Sequence, residues 1–143
     1  MVLHCAAQIT IRETSSERGI NMSNVQWHDI IFPRGYKWII QQGWVGYAEC
    51  TGLQPWYFLE ERKQFVVTEK WANGSFPGTL IAFARRQDND EIACFVIEAL
   101  TATQIVIVNG WTSSGYDVLH TYSSFWEWMK SVIDDIAAWV DTC

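Results

Sequence analysis

The chain has 143 residues, 49% hydrophobic and 18% charged, with a formal net charge of −6. That length suits one domain whose core stands without disulfides or a structural metal, and the composition excludes a disordered chain. No segment reaches the roughly 18 apolar residues that a membrane span requires.

Residues 1–22 carry no periodic pattern, and "RETSSERGIN" reads as a flexible polar arm ahead of a single domain over residues 23–143. Met22 is a candidate internal start. The opening "MVLHCAAQI" lacks the basic stretch and the apolar length of a signal peptide. Cys5, Cys50, Cys94 and Cys143 form no C-x-x-C and match no zinc spacing. The expectation is a reduced, cytoplasmic protein with free thiols, no metal and no cofactor.

Residues 36–49 hold an element that periodicity leaves open between helix and strand. "TGLQPW" over residues 51–56 is a turn, since Pro55 prevents a helix through it. Phe58, Arg62, Phe65, Val66 and Glu69 predict a helix over residues 57–71, stopped by Asn73-Gly74. Leu80–Ala84, Ile92–Ile97 and Ile105–Val108 are apolar at successive positions, the mark of strands covered on both faces. Their links are too short for helical crossovers, so residues 80–122 read as a β-meander, with "VLHTY" as a fourth strand.

The last element begins at Ser124, with Glu127 three residues later, a capping-box pattern. Phe125, Met129, Val132, Ile136 and Val140 recur on one face of an amphipathic helix over residues 124–141. The expected fold is α+β: a central, mostly antiparallel sheet flanked by helices. Both sheet faces read as apolar. The second therefore needs a cover, either the N-terminal segment or another copy of the chain in a homodimer.

Charge is uneven along the chain. Residues 1–86 hold nine Lys/Arg against seven Asp/Glu, a balance of +2. Residues 87–143 hold Lys130 alone against nine carboxylates, a balance of −8. An acidic second half repels nucleic acid and anionic membrane and attracts basic partners. Nine Trp residues exceed what one small core encloses, so some are expected at the surface, where Trp anchors protein–protein contacts.

The row Arg85-Arg86-Gln87-Asp88-Asn89-Asp90-Glu91 interrupts the greasy middle of the chain. Asp88, Asp90 and Glu91 are compatible with Mg²⁺ binding and a small metal-dependent hydrolase. Asp-x-Asp is also a common turn sequence, and two adjacent arginines would consume some of its charge. No P-loop, dinucleotide fingerprint or G-x-S-x-G elbow occurs, and His4, His28 and His120 are scattered. Read from its residues, the chain is an acidic, Trp-rich α+β binding domain.

Three phrases in order, "GLQPWYFLEE", "LIAFARRQDNDEIACF" and "SFWEWMKSVIDDI", resemble the bacterial branch of the SUKH superfamily, which includes relatives of the yeast cell-wall-assembly regulator. The resemblance spans residues 44–139. Many members carry Gly-Asp or Gly-Asn at the charged turn and Pro where Ala82 stands; here Asn89-Asp90 fills that turn, and Asn tolerates the left-handed conformation. The resemblance implies an immunity protein that binds and neutralises a cognate toxin, often a nuclease, without catalysis. A regulatory or scaffold role, as in eukaryotic relatives, is the alternative. Asp88, Asp90, Glu91, Trp56, Trp111 and Asp117 are the candidate partner contacts; Arg85, Arg86 and Asn89 are the candidate turn builders.

Overall fold

The computed structural model describes residues 26–46, 53–71, 74, 76–112 and 115–142; of Trp111 and Thr112 it describes the backbone alone. The expected arm over residues 1–22, Cys50 and the side chain of Trp111 fall outside the described residues.

The meander is built on β3 (Thr79–Arg86), β4 (Glu91–Glu98), β5 (Thr101–Thr112) and β6 (Gly115–Tyr122), each antiparallel to the next. Every strand runs past its apolar run, because ladder hydrogen bonding continues where side-chain burial stops. The β4–β5 link is two residues, Ala99 and Leu100, with φ of 47° and 63°. Both lie in the left-handed region, as a tight two-residue hairpin demands. Ile31 clamps this turn from outside: its N–H donates to the Leu100 carbonyl at 2.8 Å, and its own carbonyl accepts from Ala102 N–H at 2.9 Å.

The predicted helix over residues 57–71 is not there. β1 (Trp56–Phe58) and β2 (Phe65–Val66) both pair with β3, the first opposite Ala84–Arg86 and the second opposite Ile81 and Ala82. They are one edge strand interrupted by an excursion over residues 60–64, which holds a short 3-10 turn (Glu61–Lys63). A four-residue helix, α2 (Val67–Lys70), follows. Aromatic and β-branched residues at 56–58 and 65–67 gain more by completing the β3 ladder than by coiling, so tertiary pairing overrides the local spacing.

α1 (Arg34–Gln41) makes the first part of the open element a helix, residues 47–49 of it lying outside the described residues, and α3 (Phe125–Thr142) is the predicted C-terminal helix. Both pack on one sheet face. There Tyr36, Phe58, Phe83, Phe95, Phe125 and Trp128 form an aromatic core, with Phe83 and Phe95 stacked at 3.9 Å. Gly35 lets the two helices meet, since a Cβ there would lie 2.7 Å from the Trp126 ring. The opposite face is aliphatic, with Leu80, Ile92, Cys94, Val96, Val106 and Val108 buried beneath Val67, Phe65, Trp71 and Phe76. The segment after β1 therefore supplies much of the cover that the N-terminal arm or a second copy was expected to give.

In α3, Phe125, Met129 and Val132 are buried as expected, and Trp128 joins them at 0% exposure. Val140 does not: it is 62% exposed, and the fully buried positions end at Val132. Ile136 packs against the core in part, and most residues beyond it are exposed. The start shows half of a capping box. Glu127 N–H donates to Ser124 Oγ at 3.2 Å, while the Glu127 carboxylate pairs with Lys130 at 2.9 Å. None of the described helices is long and apolar enough to cross a membrane.

Candidate functional site

The charged row folds as the β3–β4 turn, and its centre is Arg86. The guanidinium grips Asp88 through two bonds, Nε to Oδ1 and Nη2 to Oδ2, both 2.8 Å. Its Nη1 lies 3.6 Å from Glu91 and 3.4 Å from Asp135 of α3. Asp135 in turn accepts a hydrogen bond from Trp56 Nε1 at 2.8 Å. One arginine thereby ties the turn to the helix and, through Asp135, to the edge strand. The two-pronged bond to Asp88 holds that carboxyl below its ordinary value and raises Arg86 further.

Arg85 does not share this work. Adjacent residues on a strand face opposite ways, and Arg85 pairs across the ladder with Tyr57, which packs against the aliphatic face. It makes no ion pair among the described residues. The expectation that both arginines orient the acidic turn is therefore correct for Arg86 alone. Asn89 accepts the Glu91 N–H at 2.9 Å, an Asx turn. It is not left-handed: the described non-glycine residues with positive φ are Ala99 and Leu100.

The structure brings several of the sequence-named carboxylates together. Strand pairing sets Glu91 opposite Asn109 and Asn109 opposite Asp117, so these three share one row across β4, β5 and β6. The row lies on the α3 side, and the exposed Asp88 and Asp90 project from the adjoining turn. Asp135 sits above, with exposed Asp134 and Asp141 on the same half of α3. Three distant parts of the chain thus build one acidic end, with Arg86 paired at its centre.

Trp56 does not belong to that surface. It is 2% exposed, packs edge-to-face on Trp128 at 5.3 Å and gives its N–H to Asp135, so it is a core residue and not an anchor. The exposed large residues on α3 are instead Trp126, Ile133 and Val140, at 54%, 61% and 62%. Their spacing of seven aligns them along one side of the helix. The sequence carried this signal, since the column runs alongside the acidic Glu127, Asp134 and Asp141, one residue further on in each case. Away from α3, Trp38 and Trp44 form an exposed aromatic pair at 5.8 Å.

Among the described residues, no group of three His, Cys, Asp or Glu side chains is placed to hold a metal ion. Asp88 and Glu91, two of the three carboxylates that a hydrolase would use, are turned onto Arg86. Cys94 is fully buried, and burial pushes its thiol far above the ordinary range. Comparisons with protein-family models, with curated proteins and with solved structures each found no match.

Proposed function

We propose that this chain is a non-enzymatic immunity protein of SUKH type, acting in the cytoplasm by stoichiometric binding to a cognate bacterial toxin with a basic surface, such as a nuclease. The observation that carries the reading is the acidic end, assembled from the β3–β4 turn, β6 and α3 around a single arginine. Carboxylates collected from three separate segments make a field that none of them makes alone. Such a field speeds capture of a basic partner and opposes wrong ones.

The exposed Trp126, Ile133 and Val140 supply what charge does not. Steering by carboxylates sets the approach, while desolvated aromatic and aliphatic anchors set residence time. Asp134 and Asp141, next in the chain to Ile133 and Val140, also oppose a second copy of the same helix, since equal charges would approach each other.

Co-expression tests the proposal. A toxin encoded beside this gene should arrest growth alone and be tolerated when this chain is co-produced. Protection should weaken when Asp90, Asp117 and Asp134 are changed to Asn together. Undiminished protection by that triple variant would remove the acidic end from the account, and failure of the native chain to protect would remove the immunity reading.

A further inference from the structure

The excursion of residues 60–64 away from β3 leaves a cleft of about 350 Å³ on the aliphatic side of the sheet. Tyr57, Glu60, Lys63, Phe65, Lys70 and Arg85 line it. The cations come from three elements: Lys63 from the excursion, Lys70 from α2 and Arg85 from β3. None of the three makes an ion pair among the described residues. Among the described lining residues the carboxylate is Glu60, which Arg62 holds at 2.7 Å; that bond first, and the charges of Arg62 and Lys63 after it, keep it ionised. Lys70 Nζ stands 4.4 Å over the Phe65 ring, a contact that holds the ammonium beside the cleft without neutralising it.

A chain with a net charge of −6 thus gathers three cations around one concave site. Arg85 is half-buried there, and a partly desolvated guanidinium with no ion pair among the described residues is stabilised by a counter-charge from outside the chain. The planar fork of an arginine flanked by two ammonium groups suits a tetrahedral, multiply charged oxyanion. We infer that this cleft is a binding site for a small phosphoryl anion, with Arg85 as the fork and Lys63 and Lys70 as flanking charges. The site is on the sheet face opposite the acidic end, so it stands independently of the toxin-binding reading.

The test is calorimetric titration of the full chain with inorganic pyrophosphate, with citrate as a carboxylate of comparable charge. Saturable 1:1 binding of pyrophosphate is expected. It should weaken about tenfold or more in Arg85→Gln, the loss of one charge-assisted contact. Lys63→Gln, at an exposed position that leaves folding intact, should weaken it as well, and Arg34→Gln on α1 should leave it unchanged. Absence of saturable pyrophosphate binding at millimolar concentration would overturn the site. So would equal loss in Arg34→Gln, and citrate binding as tightly as pyrophosphate would overturn its assignment to phosphoryl groups.

Discussion

Arg86 lies beneath α3 holding Asp88, Glu91 and Asp135, whereas Arg85, one residue earlier on β3, opens on the other sheet face beside Tyr57 with no carboxylate paired to it among the described residues. The two faces differ in the same sense throughout. One is an aromatic core under two helices, with its polar rim tied to a single arginine. The other is aliphatic and covered by short irregular segments, and its rim carries cations not paired among the described residues. Strand alternation alone divides two identical neighbours between a structural role and a ligand-seeking one.

The largest test of this contrast is in the two cores. Phe83→Ala should lose about 3–5 kcal/mol in chemical denaturation, because Phe83 stacks on Phe95 and touches Trp128. Val106→Ala, equally buried on the aliphatic face, should lose about 2 kcal/mol. Equal losses would mean that the faces contribute alike. Next come the arginines. Arg86→Ala should lose about 1–3 kcal/mol, since the partly buried Glu91 and Asp135 and the more exposed Asp88 are left without their cation. Arg85→Ala should stay within about 0.5 kcal/mol. A comparable loss at Arg85 would show a structural partner for it and weaken the anion-site inference.

The two hairpin turns offer a smaller comparison. Ala99 is exposed with φ of 47°, so Ala99→Gly should raise stability by about 0.5–1 kcal/mol in thermal melts. Asn89 caps its turn by a side-chain bond, and Asn89→Gly should bring no such gain. The smallest effect is pH-dependent. Asp88 has an ordinary value of 3.8 when unfolded and a lower one beside Arg86. Its contribution is therefore complete above that ordinary value and is lost as pH falls through the lowered one. The penalty of Asp88→Asn, under about 1 kcal/mol at neutral pH for so exposed a pair, should vanish on acidification through that window.

Much of the sheet was legible because strands covered on both faces write themselves as unbroken apolar runs. Leu80–Ala84, Ile92–Ile97 and Ile105–Val108 all lie inside observed strands. Ser124 announced the start of α3 through its hydroxyl. Residues 57–71 misled because Phe58 and Phe65 happen to fall at near-helical spacing, while their partners on β3 lie far along the chain. Asp135 could not be identified as the partner of Arg86 from spacing, since only folding brings α3 over the turn. The splitting of Arg85 from Arg86, by contrast, was available: strand periodicity requires it once β3 is carried through to Arg86. Trp56 misled in the opposite way, since a Trp after a turn reads as an anchor until Asp135 and Trp128 enclose it.

The central proposal, that this chain acts by occupying a basic partner and makes or breaks no bond in it, is tested most directly by titrating a fixed amount of the proposed toxin, sought beside this gene, with the purified chain while following toxin activity. The account predicts a sharp end point at a fixed molar ratio, with activity restored when the complex is separated at high salt. Inactivation by far less than an equivalent, or an inactivation that separation does not reverse, would contradict it.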